Sequence, residues 1–217
     1  MLLICLLLIL ACVVGSLPLY INNNSKILHF LLSLSAGIFI AIVFIHLIPE
    51  LPEGFQGHWL LLGFSSILFV EKVVRKENKN HTTSSITAFV GLSLHAFVTG
   101  LAMGASPEML CAVLSLPMMI HKATESISLS SLLNLSSLSR KLSLLLLAIF
   151  AFITPLGIIL GPYFSSLVGK SIALELASGT FLYVVTMDLI PEIFCDHKEL
   201  HAFIFFVIGI TLMTFIG

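Results

Sequence analysis

Apolar residues along this chain come in runs rather than in an alternating or three-to-four pattern, and the runs set the elements. A membrane span needs about 20 mainly apolar residues. Eight such stretches can be placed, at about 1–20, 29–50, 58–74, 84–105, 109–133, 141–164, 171–191 and 199–217. The polar breaks between them are short, and the longest is 75–83, Arg-Lys-Glu-Asn-Lys-Asn-His-Thr-Thr. The pattern predicts an all-α membrane protein of eight transmembrane helices in a single domain over 1–217. The first run lacks an early Lys or Arg and a small-x-small cleavage site, so it is expected to stay as a span rather than act as a signal peptide.

Composition strengthens that reading. Of 217 residues, 58% are apolar and 10% charged, and the mean hydropathy is +1.13. So few charges could not cover a soluble surface, and disorder needs the opposite balance. A net charge of −1 argues against nucleic-acid binding. Cys5, Cys12, Cys111 and Cys195 form no CxxC pair, so neither a disulfide framework nor a zinc knuckle is expected. The basic residues set the orientation. Lys26, Lys72, Arg75, Lys76, Lys79, Arg140, Lys141 and Lys198 flank the odd-numbered loops, eight in all, against Lys170 alone on the other side. The positive-inside rule then puts both termini outside the cytoplasm. The glycosylation patterns at Asn23, Asn80 and Asn134 fall on or near the cytoplasmic side and are expected to go unused.

The chain also repeats itself. Residues 36–50, AGIFIAIVFIHLIPE, and 178–192, SGTFLYVVTMDLIPE, share 7 of 15 positions at an offset of 142, among them Gly37/Gly179, Phe39/Phe181, Pro49/Pro191 and Glu50/Glu192. The copies lie in spans 2 and 7, which run in opposite directions. This predicts an inverted repeat, spans 1–3 and 6–8 around spans 4–5, an arrangement that secondary transporters use to build a site near the bilayer midplane.

A charge at the centre of a span costs about 2.5–3.5 kcal/mol, so each polar cluster there is a functional hypothesis. Span 4 carries His95, with Thr99 one turn along on the same face and Gly100 and Gly104 as a GxxxG pair for close helix approach. Span 5 carries His121 and Glu125 at i and i+4. Imidazole and carboxylate together suit zinc, iron or manganese. His95, His121, Glu125 and Thr99 are therefore the candidate metal residues. Lys122 is a candidate counter-charge to a carboxylate. The repeat supplies His46 and Glu50 in span 2 and Asp188 and Glu192 in span 7. These four, with Lys122, are candidates for an ion path, although polar helix ends would look the same. Glu175, near the start of span 7, is expected to be solvated.

At these residues the sequence resembles the ZIP family of divalent metal transporters. Family members look like AGxFLxxxFxHLLPE in span 2, HNxxDG in span 4, HKxPEG in span 5 and AGTFLYVxxxDLLPE in span 7. The versions here are AGIFIAIVFIHLIPE, HAFVTG, HKATES and ASGTFLYVVTMDLIPE, and Thr154-Pro-Leu-Gly157 is similar to the family's TPxG in span 6. Ala96 and Thr99 stand where the family has Asn and an acid, and Thr124 and Ser126 where it has Pro and Gly. The resemblance implies a secondary transporter, not an enzyme, that takes a divalent metal, zinc foremost, into the cytosol by an elevator-like motion. It also implies one intact metal position and a second one stripped. The metal is cargo, and no cofactor is expected. Partners are then divalent metal ions and the lipid bilayer, with a homodimer compatible and the plasma or inner membrane the expected location. The rival readings are a member that binds metal without transport, and an intramembrane zinc hydrolase, for which no HExxH is present.

Overall fold

The computed structural model describes residues 2–21, 26–49, 51, 56–74, 81–104, 116–168, 170–194 and 200–216. Among the described residues there is no strand, and eight helical units follow in order. They are α1 (Leu2–Gly15), which ends in a 3₁₀ turn at Leu17–Tyr20; α2 (Lys26–Ile42); α3 (His58–Val74); α4 (His81–Gly104); α5 (Leu116–Leu135); α6 (Arg140–Val168); α7 (Lys170–Tyr183); and α8 (Leu200–Ile216). Five stretches are long and apolar enough to cross a membrane, at Leu2–Tyr20, Lys26–Ile45, Thr82–Gly104, Arg140–Tyr163 and Leu174–Phe194. Leu200–Ile216 is apolar but shorter. The polar break expected at 75–83 ends early, because His81, Thr82 and Thr83 already belong to α4. There the Thr82 hydroxyl is held 2.7 Å from that of Ser137 and accepts the Ser137 amide.

Helices α2 and α7 are each continued by a π turn, over Val43–Leu47 and Val184–Leu189. The two turns fall in matching places of the sequence repeat. The amide of Ile48 bonds the Val43 carbonyl, and that of Ile190 bonds the Val185 carbonyl, again 142 positions apart. The cause is local. Pro49 and Pro191 follow directly, and a proline ring strikes the carbonyl four residues back and offers no donor to it. Widening the turn to an i→i−5 bond moves that carbonyl aside. After its π turn, α7 resumes as one further α-helical turn, Ile190–Phe194.

Small residues let the helices touch backbone to backbone. A Cβ on Gly100 of α4 would stand 2.5 Å from the Thr154 carbonyl oxygen and 3.0 Å from the Gly157 Cα of α6. Gly157 and Gly161 return the contact to Phe97 and Leu101, so the GxxxG of α4 meets a GxxxG of α6. Helices α2 and α8 cross with Gly37 against the Phe206 carbonyl, and α7 and α3 cross with Gly179 against that of Leu60. Phe39, Phe150, Phe181, Leu92, Leu129 and Leu132 fill the space where α2, α4, α5, α6 and α7 converge. Large apolar side chains on α1, α3, α6 and α8 point outward, Leu3, Leu61, Phe69, Phe152, Tyr163 and Phe215 among them.

Helix α5 is different. Its hydroxyls are buried, and two of them fasten it to α1. Ser126 donates to the Cys12 carbonyl at 2.8 Å and Ser130 to that of Gly15 at 2.7 Å. Ser85 of α4 donates to Leu132 at 2.6 Å. Asn134 spends its side-chain amide on the carbonyls of Pro18 and Ile21, at 2.7 and 2.9 Å, which is compatible with its glycosylation pattern being unused.

Candidate metal centre

Three of the sequence candidates meet in the core. His95 on α4 and His121 and Glu125 on α5 are all buried, and one ligand atom from each lies within 4.8 Å of the others. His121 Nε2 is 3.1 Å from Glu125 Oε1, and His95 Nε2 is 3.4 Å from the same oxygen. The i, i+4 spacing on α5 brings the first pair onto one face. The packing of α4 beside α5 brings the second.

Each ring is held. His95 Nδ1 lies 2.9 Å from the Ala177 carbonyl of α7. A carbonyl only accepts, so Nδ1 carries the proton and Nε2 keeps its lone pair for the cluster. Phe181 stacks on the His95 ring at 4.3 Å and 20°. Phe39 lies 4.7 Å from Phe181, with His121 5.2 Å from Phe181 on another side. His121 Nδ1 is buried and has no hydrogen-bond partner among the described residues. Thr99 Oγ1 is 3.3 Å from His95 Nε2, so it sits beside the cluster as a neutral hydroxyl.

Lys122 meets the carboxylate it was expected to balance. Three residues before Glu125, its Nζ reaches Oε2 at 2.5 Å, and it also lies 4.2 Å above the Phe150 ring. The carboxylate is thus divided, with Oε1 toward the two imidazoles and Oε2 toward the ammonium. Beside it is a cavity of about 10 Å³, room for one water or a bare ion, lined by Ala96, Thr99, His121, Lys122, Glu125 and Thr154, with Leu8 and Met103 at its apolar side. Two neutral nitrogens and a carboxylate oxygen converging on such a space fit a divalent transition metal as substrate.

The path candidates are more scattered. His46 falls in the π turn of α2, with its side chain outside the described residues, and Glu50 lies outside them as well. Asp188, in the π turn of α7, is buried and accepts a bond from Thr87 Oγ1 at 3.3 Å. Thr87 precedes His95 by two turns of α4, about 12 Å along the helix axis, so Asp188 stands apart from the cluster. Glu192 is half-buried in the helical turn after it. The expectation of a solvated Glu175 is overturned. It is 6% exposed, because α3 packs against α7 and covers that face. Sequence reasoning missed the Ala177 carbonyl and the aromatic wall. The signal was present, since Phe39 and Phe181 are an identical pair in the repeat and stand against each other in the core.

Several long apolar helices among the described residues, apolar outer faces and a buried polar cluster define an integral, multi-pass membrane protein. A family model described as "ZIP Zinc transporter" matches residues 74–217. The chain is similar to zinc transporter ZIP9 of Micropogonias undulatus, 29% identical over 158 residues, which cover 63% of this chain and 51% of that protein. It is also similar to zinc transporter ZIP1 of Homo sapiens, 31% identical over 144 residues, which cover 61% and 44%. For zinc transporter ZIP9-B of Xenopus laevis the identity is 28% over 162 residues, covering 65% and 54%. The chain spans about half the length of the curated relatives it matches. It belongs to the ZIP zinc transporter family, a family of transporters and not of enzymes.

Proposed function

We propose that the protein is a secondary transporter that carries a divalent transition metal, zinc foremost, into the cytosol through a single binding position at His95, His121 and Glu125. The observation that carries this reading is the convergence of His95 Nε2, His121 Nε2 and Glu125 Oε1 in the buried core of a multi-pass membrane protein. Metal transport agrees with the family, and zinc with the names of the relatives. Before the metal enters, Glu125 and Lys122 cancel. A divalent ion at Oε1 therefore adds charge to a site of low dielectric, which limits affinity and favours release. A second ion close by would have Ala96 and Thr99 as neighbours, neither of which brings a charge. One metal per chain is the expected stoichiometry.

An eight-span inverted repeat is the architecture proposed to move it. The π turns at matching positions and the matching crossings of α2 with α8 and of α7 with α3 support that reading. Asp188, Glu192, His46 and Glu50 are proposed path residues at the ends of spans 2 and 7. The loop charges support termini outside the cytoplasm. A cysteine added at the C-terminus should react with an impermeant reagent in intact cells, while one placed at Lys76 should not. The reverse pattern would invert the topology.

The deciding experiment is competitive uptake into proteoliposomes with zinc, iron, manganese and cadmium, beside a zinc titration of the purified chain. Uptake that saturates, falls in Asp188→Ala and accompanies one tight site per chain is expected. One observation favours the second reading, a protein that binds without transport: Lys122 holds Oε2 and leaves a moving ion only Oε1 of the carboxylate. Tight zinc binding with no uptake would select it. Two tight sites lost together in His95→Ala would replace the single position with a binuclear one.

A further inference from the structure

Away from the metal centre, a second cavity of about 230 Å³ opens where the 3₁₀ turn after α1, the end of α5 and the start of α6 meet. Its lining includes Leu19, Asn134, Ser136, Leu138, Arg140 and Ser143. The walls are built rather than incidental. Asn134 ties the 3₁₀ turn to α5 through two carbonyls. The Ser136 hydroxyl donates to the Leu133 carbonyl at 2.7 Å and receives the Leu138 amide at 3.2 Å.

Two features point to an anion. Arg140 opens α6, and its guanidinium lies 4.4 Å above the Tyr20 ring. Stacking holds the plane of the group and leaves its N–H edge for a planar or tetrahedral acceptor. Arg140 forms no ion pair with a carboxylate among the described residues. The second feature is Ser143, 2% exposed and in the cavity wall, one turn into α6. Its hydroxyl has no hydrogen-bond partner among the described residues, although the Ser139 carbonyl one turn back already receives its amide. The residue is buried yet lines the cavity, so its hydroxyl is free to bond a ligand there. The positive end of a 29-residue helix lies at the same place, although Ser139 already takes the Leu142 amide through its hydroxyl and the Ser143 amide through its carbonyl.

We infer that this cavity binds a phosphate group, held by Arg140, Ser143 and the start of α6, and that the headgroup of an anionic membrane phospholipid supplies it. The lipid source follows from the other lining residues. Leu19 and Leu138 give the cavity an apolar side suited to the start of an acyl chain, and the site stands at one end of two apolar helices, α1 and α6. A soluble phosphate would use the polar side alone.

The test follows thermal unfolding of the detergent-purified full chain with dioctanoyl phosphatidate, with dioctanoylglycerol as the phosphate-free control, and with inorganic phosphate. Phosphatidate is expected to raise Tm in a saturable way and the glyceride is not. Arg140→Gln should raise the half-saturating concentration roughly tenfold, and Ser143→Ala about threefold. Lys141→Gln, next door and exposed, should respond like the unmodified chain. A shift given equally by inorganic phosphate would keep the site and make the soluble anion its ligand. No shift with either phosphate source overturns the proposal, as does an undiminished shift in Arg140→Gln or an equal loss in Lys141→Gln. Should Arg140→Gln not fold, an unchanged response in Ser143→Ala overturns it alone. None of these readouts involves metal, so their failure leaves the transport reading untouched.

Discussion

Replacing Glu125 with Gln should weaken zinc binding by about 100-fold and also destabilise the protein. The first effect is the loss of the anionic ligand, worth about 3 kcal/mol at roughly 1.4 kcal/mol per decade. The second has a separate cause. Glu125 is 1% and Lys122 3% exposed, and removing one partner of a buried ion pair leaves the other charge uncompensated, at a cost of about 3–5 kcal/mol. The two effects can be separated. Adding Lys122→Met to Glu125→Gln should restore most of the thermal stability and none of the zinc affinity. Lys122→Met alone should tighten zinc, because the carboxylate then answers only to the metal. Calorimetric titration and thermal unfolding on the four proteins check all three statements. Weaker zinc binding in Lys122→Met would mean that the lysine orients the carboxylate rather than competing with the metal.

Gly179→Val should be the most damaging small substitution outside the centre. A Cβ there lands on the Leu60 carbonyl oxygen of α3, and backbone cannot swing aside. Overpacking of this kind costs about 1–3 kcal/mol and more where the obstacle is rigid. Gly91→Ala is the matched control. Its Cβ would meet the Val184 Cγ2 at 2.5 Å, and a side chain can give way more readily than a carbonyl. Thermal unfolding in detergent should therefore drop further for Gly179→Val than for Gly91→Ala. Zinc affinity should fall with it, since α7 also carries Ala177, whose carbonyl orients His95. Equal Tm values for the two variants would remove the argument.

The all-helical class and the polar residues that meet in the core, His95, His121 and Glu125, were legible because each rests on a local rule. Apolar run length announces a helix in lipid, and the four-residue spacing of His121 and Glu125 announces a shared face. The sequence repeat, through Gly37, Phe39 and their partners 142 positions on, marked where the two matching π turns fall. What escaped was anything that depends on which helix lies beside which. The orientation of His95 comes from a backbone carbonyl on α7, and a carbonyl carries no residue signature. Lys122, by contrast, was legible as the counter-charge to a carboxylate, because a residue three before Glu125 lies one turn away on the same helix and its chain reaches Oε2. Glu175 was read from its nearness to a span end, and the covering helix α3 is remote in sequence. Gly157 and Gly161 became a GxxxG partner only when α6 was seen against α4.

The buried serines of α5 bear on how the chain is made. Among the helices, α1, α4 and α6 are apolar enough to be held by lipid on their own, but α5 is not in that set. Its hydroxyls find carbonyls on α1, and Leu132 receives Ser85 of α4, so α5 is fastened by hydrogen bonds to neighbouring helices. Both α1 and α4 precede α5 in the chain and leave the ribosome before it. Translation order thus supplies the carbonyls of α1 and the hydroxyl of Ser85 before the helix that carries His121 and Glu125 and needs them.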